Sequence, residues 1–347
     1  MKNYKLLSVV FLAVIFTTIG FVSNTSAQGQ SGYHLLTRIE VGGDTGWDYL
    51  IADAEGKRLY VSHGSHVVVI DTATDKVVGD ITGTNGVHGI AFAEKLGRGF
   101  ISNGRDNNVT IFDLKTLKTL GTVPTGKNPY AIMYDPASKR VFVFNGGTAN
   151  ATVIDAADGK VAGTIDLGGK PEFGVADGKG TVFVNIEDKS EIVALDTNKL
   201  TVKSRWPIAP GEEASGLAID IKTMRLFTVC SNKKMIVMDA ATGKVVADLK
   251  TGDGTDAASF DPETKYAFAS NGDGTMTIVH EDGKDKFSVI DTIKTEPRAR
   301  TMTLDTKTHK VYLSAAKFGT APAPTKEQPR PRAPIVPGSF VILVYGK

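Results

Sequence analysis

Seven polar residues recur along the chain about 42 positions apart: Asp48, His88, Tyr130, Glu172, Ser215, Asp256 and Arg300. A second series runs His63, Asn103, Asn145, Glu187, Cys230, Asn271 and, in the last copy, Lys317. Brought to one place, Asp48, His63, His88, Glu172 and Asp256 would offer oxygen and imidazole donors to a divalent ion. Asn103, Asn145 and Asn271 would supply amide oxygens beside them. Metal-dependent hydrolysis is one chemistry such a set supports, with Glu172, Asp256, Asn145 and His88 as its working groups. Without a metal, the same residues with Tyr130 and Arg300 make a concave polar site for a small molecule or a protein partner. The bland alternative is a hydrated channel mouth, where polar side chains are expected anyway. Divergence between copies favours a site, because a structural requirement in a repeat tends to ask for the same residue each time.

Other chemistries find less in this chain. Cys230 is the only cysteine, so no intrachain disulfide, zinc finger or CxxCH haem attachment can form. A lone cysteine in an apolar run reads as a small buried hydrophobe rather than a nucleophile. There is no GxSxG elbow and no HExxH pair. Asp71, Asp113, Asp155, Asp196 and Asp239 close successive copies of one motif, and their sameness marks them as turn acceptors. Gly252-Asp-Gly-Thr precedes no helix pattern, which disfavours a phosphate cradle. Trp47, next to Asp48, is placed to stack on a ligand ring or to pack between repeats; Trp206 reads as structural.

The elements that must position these groups are strands. One line returns along the chain: Arg58-Leu-Tyr-Val-Ser-His63, then Val67-Val-Val-Ile-Asp71, then Asp75-Lys-Val-Val-Gly-Asp-Ile81. It recurs as Gly99-Phe-Ile-Ser-Asn103 with Val109-Thr-Ile-Phe-Asp113, and as Arg140-Val-Phe-Val-Phe-Asn145 with Ala151-Thr-Val-Ile-Asp155. The closing aspartates fall at intervals of 42, 42, 41 and 43. Each copy holds four short apolar or alternating runs between Gly, Asn, Asp and Thr turns, which is strand patterning. Four antiparallel strands in such a repeat make a propeller blade, and stacking blades around an axis buries both faces of each. The expected fold is all-β: a seven-bladed β-propeller of four-stranded antiparallel blades. The seventh blade runs out of chain after its third strand, and Tyr33 to Val41 matches the outer-strand pattern. That N-terminal strand is expected to complete the last blade and close the ring.

On these residues the chain resembles the YVTN-repeat β-propellers, and among them the YncE-like exported proteins. The signature is an aromatic-Val run (Leu59-Tyr-Val-Ser, Val141-Phe-Val-Phe), then Val-x-Val-Ile-Asp, then a turn with Lys-Val-Val, and it covers nearly all of residues 46–347. The resemblance implies a periplasmic or secreted propeller with binding roles, single-stranded DNA included, more than catalysis. Blades 4, 6 and 7 match the signature weakly. Metal-dependent lactonase propellers, by analogy, place acid and amide side chains at the channel as the hydrolase reading requires.

The chain begins with Lys2 and Lys5, an apolar run from Leu6 to Val22, and small residues Thr25 and Ala27 before Gln28. Those are the three parts of a secretory signal peptide, so residues 1–27 are expected to be removed and 28–347 to form the propeller. No later stretch is apolar enough to span a bilayer, and a monomer outside the membrane is expected. Loss of Lys2 and Lys5 from the 40 Lys and Arg leaves 38, against 38 Asp and Glu. A neutral mature chain lends no global support to nucleic-acid binding. The last blade carries an insertion, 317–338; Ala321 to Pro337 contains six prolines with Lys326, Arg330 and Arg332. Lying between the second and third strands, it is expected on the same rim as both polar series, as a lid or partner loop or as a disordered surface loop.

Overall fold

The computed structural model describes Met1 and residues 31–43, 45–326, 328–329 and 331–347. The expected signal segment therefore lies, Met1 apart, outside the described residues. Among the described residues, twenty-eight strands form seven four-stranded antiparallel sheets. Six sheets take their strands in chain order from inside to outside. The seventh has the order β26 (Met302–Asp305), β27 (Lys310–Ala315), β28 (Val341–Gly346) and then β1 (His34–Glu40). The N-terminal strand closes the ring, as its outer-strand pattern predicts.

β1 pairs antiparallel with β28, Arg38 opposite Leu343 and Ile39 opposite Ile342. Pairing leaves neither chain end as an open sheet edge. Only Ile39 of this strand is buried, and it packs with Leu50, Leu59 and Ile70 of blade 1 and Tyr312, Ile342 and Val344 of blade 7. Just before it, the Tyr33 hydroxyl donates to the His309 carbonyl at 2.7 Å and its ring lies edge-on to Phe268 of blade 6. Closure thus engages three blades.

Second and third strands carry the core. Their residues alternate between the two faces of the blade and both faces are covered, so runs such as Leu59-Tyr-Val and Val67-Val-Val-Ile are buried throughout. The expected turn role of the recurring aspartates is what the structure shows. Asp71 Oδ1 accepts from the backbone N–H of Ala73 and Thr74 and from the Thr74 hydroxyl, and Asp113 and Asp239 repeat the pattern. These bonds favour the ionised form and hold Asp71 and Asp113 below the usual carboxylate range. On this lower rim, the arginine that opens the second strand reaches into the next blade. Arg58 donates to the Leu114 carbonyl at 2.6 Å, Arg98 to that of Ala156 at 3.2 Å and Arg140 to that of Thr197 at 2.7 Å.

Candidate functional site at the channel mouth

The inner strands position the first polar series through a shared irregularity. In blades 2 to 6 they are Val87–Ala93, Pro129–Asp135, Pro171–Ala176, Ala214–Asp220 and Thr255–Asp261. Each shifts register against its neighbour just at the second residue, beside His88, Tyr130, Glu172, Ser215 and Asp256. A bulge re-aims the side chain it carries. In blades 1 and 7 the regular strand starts later, at Leu50 and Met302, so Asp48 and Arg300 precede it by two residues instead of opening it. At Asp48 the Ser62 hydroxyl replaces the ladder, accepting the Asp48 N–H at 2.7 Å.

These bulged backbones are clamped from the preceding blade. Ser102 Oγ accepts from Gly89 N–H at 2.9 Å and donates to the Tyr130 carbonyl of the next blade. Ser270 donates to the Arg300 carbonyl, and Asn185 Nδ2 to the Ser215 carbonyl at 2.7 Å. Sequence reasoning did not single out these positions, although the Ser of Tyr-Val-Ser and Phe-Ile-Ser recurs in the repeat.

Six residues of the first series converge. His88 Nδ1 lies 2.6 Å from Asp48 Oδ2; the carboxylate can only accept, so Nδ1 carries the proton. The His88 ring lies 4.4 Å from that of Tyr130 and against Gly104, where a Cβ would meet Nε2 at 2.5 Å. Arg300 Nε stands 3.2 Å from Asp256 Oδ2, and Lys170 Nζ 3.5 Å from Glu172 Oε2. Lys170 also pairs with Glu187. Ser215 instead donates to the Thr255 carbonyl.

The convergence makes a plug, not the hydrated channel mouth that was the alternative to a site. Tyr49 of blade 1, which sequence reasoning passed over beside Asp48, reaches across to Tyr130 and Phe173, with ring centroids 5.7 and 5.1 Å away. Glu172 and Asp256 are 5% and 8% exposed, which decides their protonation. Burial pushes the Glu172 carboxyl up to about 8, with Lys170 opposing and Glu187, Asp256 and Asp48 adding to it. Burial likewise raises Asp256 to about 6, against the pull of Arg300. The Tyr130 phenol is pushed upward by burial and then by Asp48, Glu172 and Asp256. Charges from blades 1, 4 and 6 thus act on one phenol of blade 3.

Below the plug, the channel is a cavity of about 490 Å³ lined from all seven blades, Leu50, Ile90, Ile132, Phe173, Leu217 and Met302 among them. Beside the plug, a cleft of about 860 Å³ opens between blades 6, 7 and 1. Its walls include Trp47, Asp48, Arg298, Arg300, Phe318 and Arg332. The base of the insertion is a short ladder: Phe318 bridges Ile335, Gly319 N–H donates to the Pro334 carbonyl at 2.8 Å and Val336 N–H to that of Lys317 at 2.9 Å. Trp47 stacks on Phe340 at 4.9 Å, and the Arg298 guanidinium lies 4.1 Å over the Phe318 ring.

Of the second series only Glu187 reaches the plug, through Lys170. Asn103, Asn145 and Asn271 are fully buried, and each amide N–H₂ donates to the third strand of its own blade: to Asn108 and Thr110, to Asn150 and Thr152, and to Thr275 and Thr277. The repetition marks them as hairpin braces. His63 stacks flat on Phe340 at 4.8 Å and meets His66 at 3.2 Å, beneath Gly43, where a Cβ would come within 2.4 Å of its ring. In blade 4 the second strand ends at Ile186, and Glu187 opens a short 3₁₀ turn instead of ending the strand. Cys230 is buried, and burial pushes its thiol up to about 12, so it stays protonated.

The donor set named for a divalent ion does not surround one point. Among the described residues no three His, Cys, Asp or Glu side chains stand close enough to hold a metal. His88 is committed to Asp48 and Asp256 to Arg300, while the Asn145 N–H₂ donates to its own hairpin and its Oδ1 has no hydrogen-bond partner. No catalytic step is derived through such an ion.

The architecture is a seven-bladed β-propeller. No family model and no curated protein matches the chain. Among solved structures, hydrazine synthase from Kuenenia stuttgartiensis is similar, with a TM-score of 0.68 at 17% identity, covering 79% of this chain and 94% of that one. At that identity the likeness speaks for the propeller fold alone.

Proposed function

We propose that the chain is an exported, non-enzymatic binding propeller of the YVTN-repeat, YncE-like kind. Its small-molecule ligand or protein partner docks on the upper rim, in the cleft beneath the proline-rich insertion. One observation carries this reading: a cleft of about 860 Å³ in which Trp47 and Phe318 stand beside Arg298, Arg300 and Arg332. An apolar wall with a few convergent polar groups is the usual make-up of a ligand site, and the volume is that of a small-molecule pocket. The acids in the same cleft are already engaged: Asp48 with His88, Asp253 with Lys233 at 3.1 Å, and Asp273 with Thr275 and the Asp253 N–H. Arg298 and Arg332 pair with no carboxylate among the described residues, which leaves their guanidinium groups for a ligand. Support for export comes from the charged, apolar and small-residue parts of segment 1–27. Support for the family comes from the repeated Val-x-Val-Ile-Asp line.

The test uses the fluorescence of Trp47 in a Trp206→Phe background, read against a panel of carboxylates, sugars, amines and short peptides. A saturable signal abolished by Arg298→Ala and by shortening 320–333 is expected. A panel that gives no saturable signal, or a signal indifferent to both changes, overturns the reading. Cell fractionation with N-terminal sequencing is expected to place the mature chain in the periplasm or medium, starting at Gln28.

A further inference from the structure

One loop position on the upper rim carries a residue in blade 7 that its backbone does not call for. Two residues before the first polar series, five blades adopt a left-handed conformation: Gly86, Asn128, Glu213, Gly254 and Arg298, with φ of 66°, 51°, 48°, 63° and 67°. The loop in blade 7 is held as it is in blade 2. Gly86 N–H donates to the Gly64 carbonyl at 3.0 Å, and Arg298 N–H to that of Gly272 at 2.8 Å. Glycine and asparagine take this conformation readily, and a long side chain takes it at a cost. The turn therefore gives no reason for arginine at 298, and the reason lies in what the side chain meets.

That side chain is placed but not satisfied. Its guanidinium lies 4.1 Å over the Phe318 ring, and among the described residues its N–H groups have neither a carboxylate nor a carbonyl to donate to. Arg332, from the insertion, lines the same cleft of about 860 Å³ in the same condition. Resting on an aromatic face fixes a guanidinium while leaving its fork of donors free, and that fork matches the two oxygens of a carboxylate. Asp48, Asp253 and Asp273 share these walls, so a group with several negative charges meets repulsion that a monoanion largely escapes. The rest of the wall is apolar. Trp47 and Ile335 are seated on the core between blades 7 and 1 and only partly covered, with Pro334 lining the cleft beside them. A molecule that fills this space has one negative charge at its head and a hydrocarbon body.

We propose that the cleft beneath the insertion takes a hydrophobic monocarboxylate, its carboxylate held by Arg298 and Arg332 and its body lying against Trp47, Pro334 and Ile335. The inference rests on the cleft being the binding face and names the class of molecule bound there.

Calorimetric titration of the full mature chain with hydrocinnamate at about pH 7, where the acid is ionised, tests it. Saturable binding is expected, with the neutral hydrocinnamide and the cationic phenethylamine each at least about tenfold weaker. Phenyl phosphate should also bind more weakly than hydrocinnamate. Arg298→Asn keeps a residue suited to the left-handed turn, and Arg332→Gln changes an exposed side chain, so both variants should melt as the parent does. Each should lose at least about tenfold in hydrocinnamate affinity, and Arg298→Lys, which keeps the charge and loses the fork, should bind more weakly than the parent. Absence of saturable hydrocinnamate binding, equal binding of the amide, tighter binding of phenyl phosphate, or binding indifferent to both Arg298→Asn and Arg332→Gln would overturn the proposal. A sugar or amine that saturates the Trp47 signal in an Arg298-dependent manner while hydrocinnamate does not bind would sink the carboxylate assignment and leave the cleft standing; silence in both assays would sink both.

Discussion

Glu172→Gln should make the protein more stable, and only above mildly acidic pH. The Glu172 carboxyl moves from an ordinary value of 4.5 to about 8 in the folded chain, chiefly because burial disfavours its charged form. The folded state therefore keeps a proton that the unfolded state has released by about pH 5, and stability falls as pH rises wherever the folded state holds more protons. The contribution is fully present below 4.5 and lost as pH passes through about 8. At about 1.4 kcal/mol for each pH unit of that window, the loss approaches 5 kcal/mol as an upper figure. Glutamine matches the shape and has no proton to lose, so its curve lacks this slope. Urea unfolding followed by tryptophan fluorescence, at about pH 5 and about pH 9 for both proteins, isolates the term as a difference of differences, because Asp256 and every other group titrate in both. The variant should be near parity at the acidic point and about 3–5 kcal/mol more stable at the alkaline one. Two curves that stay parallel within about 1 kcal/mol would refute the claim that this acid is buried in a plug, and would return the mouth to open solvent.

Three further outcomes follow from the packing. Arg225 is nearly buried and bonds Asp239 at 2.8 Å and Asp285 at 2.6 Å, so Arg225→Ala should cost about 2–3 kcal/mol, discounted because both acids are partly exposed and can rehydrate. Arg58→Ala, which loses a bond to the Leu114 carbonyl, should cost about 1–2 kcal/mol; the reverse order in urea unfolding would contradict the assignment. In the closing strand, Ile39→Ala should cost about 2–4 kcal/mol and Leu36→Ala, on the solvent side, about 0.5 kcal/mol, and equal losses would mean that the strand is not seated as described. Ser102→Ala frees the Gly89 N–H and the Tyr130 carbonyl together, and should lower stability by about 1–2 kcal/mol while altering Tyr130 NMR shifts across the blade boundary.

Blade number, strand order and closure were legible because they depend on period and alternation, which a linear sequence displays. The first polar series was legible for the same reason, since equal spacing in a ring puts equivalent residues at one end of the axis. What happened to those side chains was not legible. Whether Tyr130 and Glu172 stand in water or close the channel depends on bulges one residue long and on Tyr49, whose type reads as ordinary core. The Asn103, Asn145 and Asn271 amides looked like ligands for the channel because only their ring position was visible; the partners of their N–H₂ groups, five and seven residues on in blades 2 and 3 and four and six in blade 6, turn them to their own hairpins. In blade 4, Glu187 looked equivalent to Asn145 by spacing, but the strand ends one residue sooner.

The two ends of this propeller solve different problems with the same repeat. On the lower rim, aspartates close turn after turn with one pattern of bonds, and arginines fasten blade to blade through carbonyls. Similar neighbours ask for similar residues, and five blades close on aspartate while four open the second strand on arginine. At the upper end each blade offers something else, and two of those choices are acids held nearly out of water. A plug needed only to fill the channel would be more stable if it were apolar: replacing buried charged groups with packed hydrophobes is often neutral or favourable by about 1–4 kcal/mol. Buried carboxyls that lower stability, beside a phenol with no hydrogen-bond partner among the described residues, are a choice that the proposed binding role would account for and that channel filling alone would not.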